Sequence, residues 1–167
     1  MVLCNHTTEL ALRAILYLAL QPPGKLSPVR EVARGTGLSS PYLAKIMRRL
    51  IRNGLVRAFR GPGGGLELGQ APEAINLEMV VKASNGESYA ESCVLGLGSC
   101  SAENPCPLHE RWLPLQAGIQ RLLQETTLAS LVQALCETGQ LNSGAMEALV
   151  GRAPRYASTQ SNRWRSS

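Results

Sequence analysis

Residues 39–68 decide the fold, and they read SSPYLAKIMRRLIRNGLVRAFRGPGGGLEL. Four apolar residues near the start recur at the spacing of one helical face: Leu43, Ile46, Met47 and Leu50. Ser39 or Ser40 followed by Pro41 is typical of a first helical turn, and Asn53-Gly54 is typical of a helix end. The segment therefore predicts a helix whose basic side chains lie mainly off the buried face.

A short hairpin is predicted directly after this helix, with strands at residues 55–59 and 66–68 joined by a glycine-rich turn. The turn, Arg60-Gly-Pro-Gly-Gly-Gly65, is not a Walker loop because no Lys-Ser/Thr pair follows it. It is not a convincing dinucleotide fingerprint either, since the residues after it alternate as in a strand. Two interpretations of the turn remain: a plain glycine-rich turn, or the tip of a wing.

Two further helices are predicted upstream. Thr7 and Thr8 can cap the first helix, which stops at Gln21-Pro-Pro-Gly24. Ser27 can cap a second, short helix with Pro28 at its first position, ending at residues 35–37. Three helices followed by a hairpin form a winged helix-turn-helix, so the third helix is expected in the DNA major groove and Arg60 against the backbone or in the minor groove.

The second half predicts more helices around a polar, cysteine-containing loop. Asn76 can cap a helix that ends near Asn85, and residues 87–105 have too few apolar residues to pack as an element. Pro107 is expected to start a long helix, bent at Pro114, and Thr127 to cap a last helix to Cys136. The apolar residues of the long helix step by four and three, which indicates helix packing between chains or within one: Leu108, Trp112, Leu115, Ile119 and Leu122.

This pattern gives a mainly α fold with a small β-hairpin, in which a winged-helix DNA-binding domain precedes a long dimerisation helix. We expect the DNA-binding domain at residues 1–85 and the cysteine-rich loop at 86–106. The dimerisation and last helices should occupy 107–138, and a disordered basic tail 139–167.

The net charge of +5 is distributed unevenly. Residues 1–70 hold ten Lys and Arg against three Glu, residues 71–150 hold three against nine, and residues 151–167 hold four Arg and no acid. A basic first half is typical of a domain that binds a polyanion, although a solvated basic surface explains the charge alone equally well. Because no apolar run is long enough to cross a bilayer and the N-terminus resembles no signal peptide, we expect a cytoplasmic protein.

Three of the five cysteines, Cys93, Cys100 and Cys106, fall in the loop, a pattern more typical of metal ligands than of disulfides in a reducing compartment. Cys106 precedes a predicted helix, whose dipole favours the thiolate, and His109 shares its face. On the residues alone, an iron–sulfur cluster, zinc and free thiols have equal weight. Cys4 and Cys136 are interpreted as a bystander and a small core residue.

The sequence resembles the Rrf2 family of bacterial winged-helix regulators, which includes IscR-, NsrR- and RirA-like proteins. The residues that carry the resemblance lie between positions 7 and 135: Glu9–Leu18, Tyr42–Leu43, Gly54–Val56, Arg60–Gly65 and Cys106–His109. The resemblance implies a homodimer that binds operator DNA, as a repressor more often than an activator. It also implies a [2Fe-2S] or [4Fe-4S] cluster through which iron–sulfur status, nitric oxide or redox state is sensed.

The resemblance also implies roles for particular residues. Cys93, Cys100 and Cys106 match the cluster-binding cysteines, and the fourth ligand is His109, which we favour, or the partner subunit's Glu9. Ala44 stands where IscR-like members carry a Glu that discriminates bases, so their operator is not assumed for this chain. The predicted DNA contacts are Ser39, Ser40, Pro41, Tyr42, Lys45, Arg48, Arg49, Arg60, Gly61, Gly63 and Gly64.

Two rival functions are weighed against the cluster-dependent regulator. A cluster-free regulator of the same fold would respond through thiol oxidation or a small ligand. A metal-dependent enzyme is disfavoured because the sequence shows no nucleophile–base pair and no phosphate loop, and its only histidines are His6 and His109.

Overall fold

A computed structural model describes residues 6–85, 93, 95, 101–103 and 105–137. Cys4, Cys100, most of the predicted loop and the predicted tail lie outside these residues. The described α-helices and strands are α1 (His6–Ala19), α2 (Val29–Thr36), α3 (Ser40–Arg52), β1 (Val56–Phe59), β2 (Gly65–Leu68), α4 (Leu77–Asn85), α5 (His109–Glu125) and α6 (Leu128–Glu137), and a short 3-10 helix spans Pro72–Ala74.

The first three helices pack on one another around a single core, to which the hairpin, α4 and α6 also contribute residues. The predicted apolar stripe of α3 is confirmed, because Leu43, Ile46, Met47 and Leu50 are each at most 2% exposed. Strands β1 and β2 pair antiparallel, with Val56 opposite Leu68 and Phe59 opposite Gly65. The predicted fold class, mainly helical with a small hairpin and a winged-helix order of elements, is confirmed.

The sequence predicted that Ser27 caps α2, but in the structure Ser27 pairs with β2 instead. Its backbone N–H donates to the Leu66 carbonyl at 2.9 Å, and its carbonyl accepts from the Leu66 N–H at 2.8 Å. Pro28 occupies the cap position of α2, and the buried Ser27 hydroxyl has no hydrogen-bond partner among the described residues. The backbone pairing therefore fixes the wing to the start of α2.

The predicted capping role of Thr7 and Thr8 is also wrong, because both lie inside α1. Thr8 is completely buried, and its hydroxyl donates to Asn85 Oδ1 at 2.8 Å and lies 2.9 Å from the Ser84 hydroxyl. These bonds join the first turn of α1 to the last turn of α4.

The two caps predicted in the second half are confirmed. The Asn76 side chain accepts from the Met79 N–H at 3.0 Å. Thr127 and Ser130 exchange side-chain and backbone hydrogen bonds of 3.1 and 3.2 Å at the start of α6. Helix α5 begins at His109 rather than Pro107 and contains Pro114. Cys136 is exposed on α6, so its interpretation as a core residue is wrong.

A partly buried hydrogen-bond network joins the end of α1 to α2. The Tyr17 hydroxyl donates to Glu31 Oε1 at 3.0 Å, and the same oxygen accepts from Lys25 Nζ at 2.5 Å. Burial, followed by the bond to the Glu31 carboxylate, raises the pKa of Tyr17 to about 12. The bond from Lys25 is the main cause that lowers the pKa of Glu31. The network therefore holds a neutral phenol against an ionised carboxylate.

The raised pKa of Tyr17 predicts a loss of stability at alkaline pH. Below pH 10 the phenol is neutral in both the folded and unfolded states, so its stabilising contribution is complete. As the pH rises to about 12 the unfolded chain ionises first, and the free energy of unfolding should fall by about 2 kcal/mol. Urea titrations across this range should show a weaker pH dependence for Tyr17→Phe. An equal dependence in both proteins would contradict the prediction.

Candidate nucleic-acid interface and metal-ligand residues

The start of α3 presents a polar, uncapped turn to solvent. Ser39, Ser40 and Pro41 are exposed, and no side chain caps the helix. The backbone N–H groups of a first helical turn have no partner within the helix and favour anions such as phosphate. Lys45 and Arg48 are exposed on later turns of the same helix, while its apolar stripe faces the core. This geometry allows α3 to present its N-terminal half to a polyanion.

The basic side chains of residues 6–70 divide into paired and unpaired groups. Glu9 pairs with Arg13, Glu31 with Lys25, and Glu67 with Arg57, so all three acids of this region are occupied. Six exposed cations form no salt bridge among the described residues: Arg30, Arg34, Lys45, Arg48, Arg52 and Arg60. The positive charge available to a ligand is therefore concentrated on α2, α3 and the wing.

Two predicted DNA contacts also make contacts within the chain. The half-buried Arg49 donates through a guanidinium nitrogen to the Ser84 carbonyl, which joins α3 to the end of α4. The Tyr42 hydroxyl lies 3.4 Å from Thr7 Oγ1, and its ring stacks on His6 with centroids 6.3 Å apart. Both side chains thus help to fix the orientation of α3, and their contact with DNA stays a prediction.

The wing tip has a backbone conformation that residues other than glycine would not adopt readily. Gly61 and Gly63 have φ of +96° and +79°, in the left-handed region that favours glycine. A Cβ at Gly64 would lie 2.3 Å from the Phe59 carbonyl oxygen, so only glycine fits without movement. Arg60 is exposed immediately before this tip. The tip can therefore bring the Arg60 side chain and bare backbone close to a ligand.

The predicted metal ligands are only partly described. Cys93 is 3% exposed, Cys106 is half-buried just before α5, and His109 is 8% exposed as the first residue of α5. The His109 N–H donates to the Cys106 carbonyl at 2.9 Å, which places the two residues in one turn. Within residues 6–85, 93, 95, 101–103 and 105–137, no three His, Cys, Asp or Glu side chains form a group that could hold a metal.

Glu9, the alternative fourth ligand, lies on the first turns of α1 and is 48% exposed. Its Oε1 accepts from Arg13 at 2.5 Å, and its Oε2 lies 3.6 Å from His6 Nδ1. The carboxylate therefore has partners on its own helix, and it remains accessible to solvent.

Arg30 is a candidate functional residue that the sequence reasoning missed. It lies in the first turn of α2, beside the wing, and is exposed. A basic residue two positions after Pro28, in the first turn of a predicted helix, was the signal that could have found it.

Comparisons with known proteins agree with this geometry. Residues 4–134 match the model of the Rrf2 family, described as iron-dependent transcriptional regulators. An HTH-type transcriptional regulator of Aquifex aeolicus is 34% identical over 130 residues, which cover 77% of this chain and 90% of that protein. The regulator IscR of Yersinia pseudotuberculosis is 36% identical over 122 residues, covering 73% and 74%.

Solved structures share the fold. CymR, named as the global cysteine regulator of B. subtilis, superposes with a TM-score of 0.69 at 23% identity, covering 80% of this chain and 98% of that one. Among the helices that the structure describes, none is long and apolar enough to cross a membrane.

Proposed function

Because this chain belongs to the Rrf2 family of transcriptional regulators, we propose that it acts as a homodimer whose affinity for operator DNA is set by an iron–sulfur cluster. Like its relatives, it is a DNA-binding regulator and not an enzyme. The homodimer, the cluster and the signal are the proposal. The observation that carries the DNA-binding function is the set of unpaired cations on α2, α3 and the wing, which a DNA duplex would neutralise.

The dimer is supported by an uncovered apolar face of α5. Leu108, Leu115 and Leu122 are 40%, 61% and 58% exposed. Each is followed in the chain by a buried residue, which lies on a different face of the helix. The buried residues are His109, Gln116 and Leu123, and α5 packs against α4. A second copy of α5 would remove the leucines from water, which is favourable by about 25 cal/mol per Å² of apolar surface. It would also join two winged-helix heads.

The cluster is supported by the chemistry of its ligands. Cys93, Cys100 and Cys106 would supply three thiolates, and His109 or the partner subunit's Glu9 the fourth ligand. The start of α5 favours the Cys106 thiolate, and the burial of Cys93 and His109 limits access of water. Because the described residues alone form no three-ligand group, the site would require Cys100 or the partner. A bound cluster would supply redox-active iron that reacts with oxidants or nitric oxide.

Analysis of protein purified without oxygen tests the proposal. We expect iron, acid-labile sulfide and visible charge-transfer absorption, all of which should be lost in Cys106→Ser. Cys136→Ser is the matched control, because Cys136 is exposed on α6 and outside the cysteine motif. Wild-type protein that contains neither iron nor sulfide would contradict the cluster, although not the DNA-binding function.

A second candidate is a cluster-free regulator that responds through thiol oxidation or a small ligand. It is favoured by one observation: Cys106 is only half-buried, so its thiol is accessible to an oxidant. Mass spectrometry that finds a Cys93–Cys106 disulfide in metal-free protein would support this candidate against the cluster.

A further inference from the structure

A groove of about 480 Å³ lies between the first turn of α2 and the wing. One wall is the start of α2 and the other is the hairpin, and the groove ends at the glycines of the wing tip. The residues that define it are Val29, Arg30, Phe59, Gly61, Gly64 and Leu66. The pairing of Ser27 with Leu66 holds both walls at a fixed separation.

The charge around this groove is positive and uncompensated. Arg30 lines it and has no acidic partner among the described residues, and Arg60 directly precedes the lining residue Gly61. Glu31, the next residue after Arg30, is already engaged by Lys25 and Tyr17. An anionic ligand would therefore meet two cations and no free carboxylate.

The groove also contains an exposed apolar surface. Phe59 is 46% exposed, so a large part of its apolar ring is in contact with water. Gly65 lies opposite it on β2 and adds no side chain, so one face of the ring stays accessible. A ligand with an anionic group next to an apolar ring, such as a phosphate next to a deoxyribose, matches this combination.

We propose that the groove between α2 and the wing receives the sugar–phosphate backbone of one DNA strand. Arg30 binds a phosphate, and Phe59 packs on the adjoining deoxyribose. This inference rests on the DNA-binding function and adds a contact outside α3 and the wing tip. DNA is favoured over a protein occupant because the cations of the groove continue the positive surface of α3 and Arg60.

Salt-dependent DNA binding by single variants tests the proposal. The probes are a duplex that the wild-type protein selects from random-sequence DNA and a duplex of unrelated sequence. Arg30→Ala should weaken binding to both duplexes by about tenfold. It should also reduce the magnitude of the negative slope of log K against log salt by about one per protomer, because one phosphate contact is lost. Arg30→Lys should restore the slope. Phe59→Ala should weaken binding about threefold with an unchanged slope, since it removes an uncharged contact.

Arg121→Ala is the matched control. It removes the same charge from an exposed position on α5, far along the chain from the wing, so it should change the slope little. If Arg30→Ala behaves like Arg121→Ala while wild-type protein binds DNA, the groove proposal is wrong and the function stands. If wild-type protein binds neither duplex, the DNA-binding function itself fails. Intact DNA binding with lost transcriptional control in Arg30→Ala would indicate a protein occupant and would also overturn the proposal.

Discussion

Replacement of Gly65 by alanine is expected to lower the free energy of unfolding by about 2 to 4 kcal/mol and to abolish tight DNA binding. The added Cβ would lie 2.8 to 2.9 Å from the Ser27 backbone nitrogen, carbonyl carbon and oxygen. These are main-chain atoms, which cannot rotate away as a side chain can. The wing would have to move from α2, and the two hydrogen bonds between Ser27 and Leu66 would be lost or distorted.

Thermal unfolding and binding to the selected duplex check this expectation. Gly118→Ala is the matched control, because it makes the same change on α5 where nothing lies within 4 Å of the new Cβ. That control should stabilise the protein by up to about 1 kcal/mol, since alanine favours helix over glycine. If Gly65→Ala unfolds at the same temperature as the wild type, the assigned pairing of Ser27 with the wing is wrong.

The double variant Leu115→Glu/Leu122→Glu is expected to be a monomer with a folded winged-helix head. Both leucines are more than half exposed, so the charges should not disturb the core of a single chain. In a dimer, the four carboxylates would be buried next to one another, which is costly without partners. A monomer contacts one half-site instead of two, so affinity for the selected duplex should fall by at least about 100-fold.

Sedimentation equilibrium and circular dichroism measure the two parts of this result. Leu113→Glu provides the control, because Leu113 is also an exposed leucine of α5, at 44%, but lies outside the predicted apolar seam. It should remain dimeric and bind DNA normally. A double variant that still sediments as a dimer would place the subunit interface elsewhere.

The features that the sequence predicted correctly depend on neighbouring residues. The buried stripe of α3 repeats within two helical turns, and the caps formed by Asn76 and Thr127 reach only three residues along the chain. The steric demands of the glycine-rich tip are similarly local, so the hairpin follows from residues 55–68 alone. Each of these features is set by backbone geometry that a short window of sequence contains.

The predictions that failed depend on residues far apart in the chain. Ser27 and Thr8 are good capping residues, but Ser27 pairs with Leu66 and Thr8 bonds to Ser84 and Asn85. The DNA contact of Arg49 stays a prediction, but its bond to the Ser84 carbonyl likewise depends on a distant residue that the sequence pattern does not reveal. No local pattern distinguishes a serine or threonine that caps a helix from one that bonds to a distant element.

Residues 39–68 by themselves determined a basic helix followed by a glycine-tipped hairpin, because helical periodicity, capping and turn geometry act over a few residues. The tertiary structure decided which charges remain available and how the wing is held. Salt bridges occupy Arg13, Lys25 and Arg57, while Arg30 is left unpaired beside a groove that no single segment forms. The physical reason is that ion pairs, grooves and strand pairing require surfaces from separate elements, which only folding brings together.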